Sequence, residues 1–265
     1  MRLVSIASGS SGNCIYVGSD TTHILIDAGI SCKRIREGLE KLDISLGDLD
    51  GIFVTHEHSD HIAGLKTLLK KYDVPVFATR GTLAGIDNAD KKGDMPDFDR
   101  RVVKADEKIA LKDLVINPMA ISHDALEPVA YRVSYGDKKI AVATDMGCYT
   151  DYTIDCLQGL DALLIEANHD VRMLQMGPYP YQLKRRILGD KGHLSNEKSG
   201  ELLTKLLNDK MKGILLGHLS KENNLPELAY ETVRVEIEMS DTPYHGNDFP
   251  LYVASRSEQS PIIEV

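Results

Sequence analysis

The segment "THEHSDH", residues Thr55 to His61, is the most informative stretch of this chain. It places four side chains that can bind a metal within six residues: His56, His58, Asp60 and His61. The apolar run "GIFV" precedes the segment directly, and a stretch with helical periodicity follows it. Imidazole and carboxylate groups suit Zn²⁺, Mn²⁺ or Fe²⁺. The segment therefore predicts a metal site at the end of a strand, and the alternative is a solvated, histidine-rich turn.

Three further candidate ligands close apolar runs later in the chain. His123 ends "LVINPMAISH", Asp145 ends "KKIAVATD" and His218 ends "KGILLGH". Ligand sites in α/β proteins favour the edge where the carboxyl ends of strands meet. Any one of these residues alone would be an ordinary hydrogen-bonded side chain. Together with the Thr55–His61 segment they are enough for two coordination spheres.

The rest of the sequence predicts an α/β protein whose sheet is covered by helices. Short apolar runs recur along the chain, and the first few are joined by the turn-forming stretches "SGSSGN" and "GSDTT". Apolar residues at helical spacing predict helices over 31–42, 61–71 and 196–208. The polar stretch 87–100 is expected to be a surface loop, and the polar tail from Ser255 is expected to be mobile.

Composition limits the classes of function. The chain has 265 residues, of which 42% are hydrophobic and 27% charged, and its net charge is -9. This acidic balance gives no global sign of a nucleic-acid coat protein or a membrane-surface binder, so a polyanion would need a local positive site. We expect no membrane partner, because no apolar run approaches the length of a membrane span. The four cysteines form no CxxC pair, which favours a reducing, cytoplasmic location.

The ordered set of "THEHSDH", His123, Asp145 and His218 resembles the metallo-β-lactamase superfamily over nearly the whole chain. The resemblance implies one domain, 1–265, with an αβ/βα four-layer sandwich of two mixed sheets flanked by helices. It implies two divalent metal ions, with zinc, manganese and iron all compatible with the ligands. Asp27, in "LIDAG", would support the ligand loop through hydrogen bonds. The implied ligand sets are His56, His58 and His123 for one ion, Asp60, His61 and His218 for the other, and Asp145 as the bridge.

The tetrapeptide "GHLS" occurs twice, from Gly192 and from Gly217. His218, in the second copy, follows an apolar strand as the other ligands do, whereas His193 follows a polar connection. In the phosphodiesterase branch of the superfamily, notably the tRNA 3′-processing endonucleases, a similar element supplies a general acid or phosphate contact oriented by a glutamate. The resemblance therefore assigns catalytic roles to His193 and to Glu166 of "LLIEANHD". Asp60 is a third catalytic candidate, in addition to its place among the implied ligands. The alternative is that His193 is a surface or capping histidine.

The segment from Arg172 to Lys191 carries five Lys or Arg residues against one Asp, and it interleaves two tyrosines with prolines. Basic side chains and aromatic rings are what a nucleic-acid groove uses. The alternative is a solvated helix face with two packed tyrosines. The candidate substrate contacts are His169, Tyr179, Tyr181, Lys184, Arg185 and Arg186.

Several stretches narrow the resemblance to the YycJ/WalJ group of bacterial proteins. These stretches include "IASGSSGNCIYV", "GPYPYQLKRRILGDKGHLSN" and "GHLSKENN". The group implies a compact hydrolase with a DNA exonuclease role. We therefore expect a phosphodiester hydrolase that acts on nucleic acid, with DNA as the favoured partner. The alternatives are a phosphodiesterase for a small cyclic nucleotide-like ester and a non-catalytic, metal-bound regulatory protein.

Overall fold

The structure, a computed structural model, describes residues 1–265 and contains two seven-stranded sheets. The first sheet has the order β14-β1-β2-β3-β4-β5-β6 and the second β13-β12-β11-β10-β9-β8-β7. Both mix parallel and antiparallel pairs. The strands of the first sheet are β1 (Arg2–Ala7), β2 (Cys14–Gly18), β3 (His23–Ile26), β4 (Gly51–Phe53), β5 (Val76–Ala78), β6 (Arg100–Val102) and β14 (Ile263–Glu264). Those of the second are β7 (Ile109–Leu111), β8 (Leu114–Ala120), β9 (Val129–Tyr135), β10 (Lys138–Ala143), β11 (Ala162–Glu166), β12 (Gly213–Gly217) and β13 (Leu251–Val253).

The chain contains nine α-helices, most of which pack on the outer faces of the two sheets. A short 3₁₀ helix, Leu46–Asp48, follows the first of them. Ser31 accepts a hydrogen bond from the Arg34 N–H and so caps the first helix. The helices are α1 (Cys32–Glu40), α2 (Ser59–Ile62), α3 (Leu65–Leu69), α4 (Arg80–Ala89), α5 (Asp151–Cys156), α6 (Val171–Met176), α7 (Tyr181–Leu188), α8 (Asn196–Leu206) and α9 (Pro226–Glu238).

Three apolar cores separate four layers. Alternate residues of β3 point to opposite faces, so that Leu25 joins a core with α1, α3 and α4, while Ile24 and Ile26 meet the second sheet. In β11, Leu164 faces the first sheet, and Leu163 packs against α8 and α9 on the outer side. The predicted four-layer sandwich of two mixed sheets flanked by helices is therefore confirmed.

Two expectations about elements need correction. The helix predicted over 61–71 is two short helices, α2 and α3, and Gly64 lies between them. The Gly64 N–H donates to the Ala28 carbonyl at 2.8 Å, so the chain there is held against the β3–α1 loop. The tail from Ser255 is not free either, because β14 pairs antiparallel with β1 and Ile263 is buried between the sheets.

None of the helices is both long enough and apolar enough to cross a membrane.

The carboxyl ends of five strands bring candidate site residues to one edge. The parallel pair β3 and β4 leads to Asp27 and His56, and β10, β11 and β12 lead to Asp145, Glu166 and His218. Asp27, Asp145 and His218 have left-handed backbones, with φ of 64°, 60° and 55°. Non-glycine residues adopt this region rarely, and such residues cluster at functional sites. The strand-end arrangement expected from the sequence is therefore present in both sheets.

Candidate metal centre

The first candidate ligand group consists of His56, His58 and His123. His56 Nε2 lies 3.1 Å from His58 Nδ1, and His123 Nε2 lies 3.3 Å from the same atom. The three nitrogens lie within 4.8 Å of one another. His56 follows β4, His58 directly precedes α2, and His123 follows β8, so each is held by a regular element. The group has the size and chemistry of a site for one divalent cation.

The second group consists of Asp60, His61 and His218. The Asp60 Oδ2 atom lies 3.5 Å from His61 Nε2 and 3.3 Å from His218 Nε2. Asp145 lies between the two groups, with Oδ2 3.2 Å from His61 Nε2 and Oδ1 3.8 Å from His123 Nε2. Asp145 is therefore placed where a carboxylate can bridge two ions.

The second ring nitrogen of three histidines is occupied by a hydrogen-bond acceptor. His61 Nδ1 donates to Asp27 at 2.7 Å, and His123 Nδ1 donates to the Gly192 carbonyl at 3.1 Å. His218 Nδ1 donates to Glu166 Oε1 at 2.9 Å. Each bond fixes the tautomer and leaves Nε2 as the lone pair that faces the site.

Asp27 ties the ligand loop to the first sheet. Its Oδ1 accepts the Thr55 N–H at 2.8 Å, and its Oδ2 accepts the Thr55 hydroxyl at 2.9 Å as well as the His61 ring. Thr55 Oγ1 in turn lies 3.0 Å from His56 Nδ1. These contacts hold the Thr55–His61 loop against the end of β3.

The donor set fits divalent cations. The Oδ2 atom of Asp145 is buried and has no hydrogen-bond partner within the chain. Burial alone would lower the pKa of His218, but the carboxylates of Asp145, Asp60 and Glu166 raise it to about 10. The pKa of His61 is also well above its ordinary value, because Asp27 and Asp145 outweigh the effect of burial. The pocket therefore stabilises positive charge, which metal ions would supply.

His193 and Glu166 form the pair that the sequence suggested. His193 Nδ1 donates to Glu166 Oε1 at 2.8 Å, which leaves Nε2 available to a substrate. The other carboxylate oxygen of Glu166 accepts the backbone N–H groups of Met146 and Leu194. Burial opposes ionisation of Glu166, but His193 and His218 lower its pKa to about 2. Glu166 is therefore a fixed anion that orients His193, and it is also the partner of His218.

A cavity of about 520 Å³ opens on one side of His193. Its wall includes Tyr149, His169, Val171 and Leu188 as well as His193. His169 thus lies near the proposed acid, but its Nδ1 lies 3.3 Å from Asn168 Oδ1. The side chain of Asp170 caps α6, whereas the Asn168 amide donates to the His218 carbonyl at 2.9 Å.

The basic segment is only partly free to meet a substrate. Arg186 pairs with Asp124 through both its Nε and Nη2 atoms, and Lys184 donates to the Gln175 carbonyl at 2.7 Å. Tyr181 is 73% exposed, and the Arg185 guanidinium lies 6.0 Å from its ring centre. Tyr179 is half-buried in the loop before α7. The structure does not bring these five residues into the ligand groups.

Two site residues were not anticipated. Asn13 Nδ2 lies 3.1 Å from His61 Nε2, and the Asn13 N–H donates to the Asp60 carbonyl at 2.8 Å. Asp124 contacts His123 Nε2 at 3.4 Å and connects the site to Arg186 on α7. Asn13 lies in a Gly/Ser-rich turn with no sequence signature, whereas the adjacency of Asp124 to His123 was visible in the sequence.

Comparison with known proteins gives a consistent result. The family model for the β-lactamase superfamily domain matches residues 22–214. The exodeoxyribonuclease WalJ of Streptococcus pneumoniae serotype 2 is 38% identical over 98% of this chain and 96% of its own length. The exodeoxyribonuclease YycJ of Bacillus anthracis is 39% identical over 88% of both proteins. The Zn²⁺-bound PqqB of Methylobacterium extorquens, 18% identical, shares the fold with a TM-score of 0.73 and covers 98% of this chain and all of that one.

Proposed function

The chain belongs to the metallo-β-lactamase superfamily, in the group of the WalJ and YycJ exodeoxyribonucleases, and we propose that it is a metal-dependent exonuclease acting on DNA. The observation that carries the proposal is the contact between His193 and Glu166 beside the ligand groups. A carboxylate-held imidazole next to a two-ion site suits a substrate whose leaving group needs a proton.

The roles of the ligands are part of the proposal. His56, His58 and His123 would hold one ion, and Asp60, His61 and His218 the other, with Asp145 shared between them. Zinc and manganese both suit this set of nitrogens and oxygens, because no sulfur ligand selects between them. A cytoplasmic location, where a chromosome would be the substrate, also belongs to the proposal.

The chain's own residues divide the work of phosphodiester hydrolysis. When bound, two divalent ions supply a water of lowered pKa and neutralise the charge that builds on the phosphate oxygens. Glu166 stays ionised and holds His193 through Nδ1, so that Nε2 carries the proton delivered to the leaving oxygen. Asp27 and Thr55 keep the ligand loop in place while the substrate binds.

The test is a cleavage assay with end-labelled, single-stranded and duplex DNA and RNA, in Mn²⁺ and separately in Zn²⁺. We expect stepwise loss of nucleotides from one end of DNA, and we expect His58→Ala to abolish it because one ligand is lost. His245→Ala is the matched control, since the His245 ring is exposed and pairs with Glu238, which is not among the candidate ligands. Brisk hydrolysis of bis(p-nitrophenyl) phosphate without cleavage of any polymer would instead favour a small-ester phosphodiesterase.

A further inference from the structure

The cavity beside His193 lies where a leaving group would be. In an in-line displacement the attacking and leaving oxygens stand on opposite sides of phosphorus. His193 adjoins the candidate ligand groups, since its ring centre is 5.2 Å from that of His123 and 5.3 Å from that of His218. The cavity of about 520 Å³ shares His193 as part of its wall. A fragment that takes its proton from His193 would therefore occupy this cavity.

The size and the lining of the cavity suit a nucleoside. Small-molecule sites commonly enclose about 300–1,000 Å³, so the cavity is large enough for one nucleoside unit. Val171 and Leu188 supply apolar surface, and Tyr149 supplies an aromatic ring for a base to stack on. The lining contains one carboxylate, Asp190, and one ammonium group, Lys198, whose Nζ already pairs with Glu201 at 2.9 Å, so it offers no unpaired positive charge to a phosphate. The lining therefore favours the base and sugar over a charged phosphate end.

His169 carries the strongest indication of a ligand. The residue is 1% exposed and lines the cavity, and its Nε2 atom has no hydrogen-bond partner within the chain. Its Nδ1 pairs with Asn168 Oδ1, so Nδ1 carries the hydrogen and Nε2 is the acceptor. Burial lowers the pKa of His169 to about 4, which keeps the ring neutral. An unsatisfied buried acceptor needs a donor, and phosphate oxygens are acceptors, whereas nucleoside hydroxyl and amino groups donate.

We propose that this cavity is the subsite for the base and sugar of the terminal nucleotide that the reaction releases, with His169 Nε2 accepting a hydrogen bond from a hydroxyl or amino group of that nucleoside part. The bond between phosphorus and the leaving oxygen breaks, that oxygen takes the proton of His193, and the phosphorus, with an oxygen from water, stays on the shortened strand. The proposal rests on the nuclease function proposed above, and it specifies that the strand is shortened from its end. A pocket that accepts one nucleoside beside the acid limits each cycle to one residue at the end of a strand.

The test compares two substrates in His169→Ala and Val171→Trp. His169→Ala removes the acceptor, and Val171→Trp fills the cavity from α6. We measure kcat/KM for mononucleotide release from end-labelled single-stranded DNA and for hydrolysis of bis(p-nitrophenyl) phosphate. In each variant we expect the ratio of the DNA value to the small-ester value to fall about tenfold or more, since each tenfold step corresponds to the loss of one good contact. Val235→Trp, at an exposed position of α9, is the matched control and should leave the ratio unchanged.

The outcomes separate the subsite from the nuclease function. An unchanged ratio in both variants, with normal release of mononucleotides by the wild type, overturns the subsite and leaves the nuclease function intact. Equal losses on both substrates also overturn it, because His169 would then support His193 and not the substrate. A wild type that hydrolyses the small ester and releases no mononucleotide overturns both proposals. Thermal unfolding of each variant shows whether a loss reflects damage to the fold.

Discussion

Glu166 connects the two histidines of the repeated GHLS tetrapeptide. Its Oε1 atom lies 2.8 Å from His193 Nδ1 and 2.9 Å from His218 Nδ1. One fixed carboxylate therefore orients both the proposed acid and a proposed ligand. The histidines of the two tetrapeptide copies thus share Glu166 as a hydrogen-bond partner. Gly192 has its own constraint, because an added Cβ would lie 2.1 Å from the Ile187 carbonyl oxygen.

The loss of rate on removing His193 should depend on whether the leaving group needs a proton. We expect His193→Ala to slow release of mononucleotides from DNA by about 10²-fold or more, which is the usual contribution of a general acid. Hydrolysis of bis(p-nitrophenyl) phosphate should fall far less, because p-nitrophenolate leaves without a proton. Steady-state rates on the two substrates measure the difference, with His245→Ala as the control. Equal losses on both would contradict the role of proton donor.

Metal binding should release protons from the site. The folded-state pKa of His218 is raised to about 10 by Asp145, Asp60 and Glu166 against the effect of burial, and that of His61 is also raised. At pH 7.5, below these values, both rings of the metal-free chain carry protons that a metal must displace. We therefore expect acidification when Zn²⁺ is added to metal-free protein in weak buffer, measured with a pH indicator. Apparent affinity should rise with pH up to the raised pKa values, and a pH-independent affinity would contradict this prediction.

The sequence indicated the candidate ligands but not all of their contacts. Dense histidines after an apolar run carry a chemical meaning that needs no structure. The contact of Asn13 with His61 joins residues 48 positions apart, and no local pattern encodes it. The double use of Glu166 was hidden for the same reason, because the sequence suggested only its partnership with His193.

At the scale of elements, the β3–α1 loop packs directly on the ligand loop. The Gly29 N–H donates to the Asn13 carbonyl, and an added Cβ on Gly29 would lie 1.7 Å from the Asp60 carbonyl oxygen. We expect Gly29→Ala to displace Asp60 and to weaken metal binding about tenfold or more, which is the usual effect of disturbing a ligand's support. Gly47→Ala is the control, because its nearest neighbour would be 3.7 Å away. Metal titration measures the metal affinity of both variants, and equal affinities would contradict the packing argument.

The last strand, β14, should contribute to stability. Ile263 is 4% exposed and lies in the core between the sheets. We expect Ile263→Ala to lower the free energy of unfolding by about 2–4 kcal/mol, as for other buried Ile to Ala changes. Ile262→Ala, at a position that is 45% exposed, should change it by less than about 0.5 kcal/mol. Denaturant unfolding of both variants tests this, and equal effects would mean that the tail is mobile after all.

Local periodicity predicted where a helix forms better than it predicted where a helix breaks, and it did not predict the last strand. The spacing of Ile35 and Leu39 and the Ser31 cap are local features, and α1 lies where they indicate. The break between α2 and α3 arises because Gly64 meets the Ala28 carbonyl, a contact across 36 positions that periodicity does not contain. The polar residues from Ser255 obscured a two-residue strand whose pairing partner is at the other end of the chain.

At the scale of the whole molecule, the strand ends of two sheets form one site. Candidate ligands from the first sheet, such as His56, meet candidate ligands from the second, such as Asp145 and His218, across the edge of the sandwich. The order of the motifs indicated the fold because the superfamily resemblance covers nearly the whole chain. The net charge of -9 did not reveal the site, since its positive charge would come from metal ions and not from side chains.

The site as a whole is tested by stripping the chain of metal and returning Mn²⁺ or Zn²⁺ in steps. Elemental analysis would give the ions bound per chain at each step, and end-labelled DNA would give the rate of mononucleotide release in the same samples. We expect two ions per chain at saturation, with the rate rising as the second ion binds. Asp145→Asn, which weakens the shared ligand, should lower both the ion count and the rate. Full activity without bound metal, or two bound ions with no cleavage of DNA, would contradict a two-metal exonuclease.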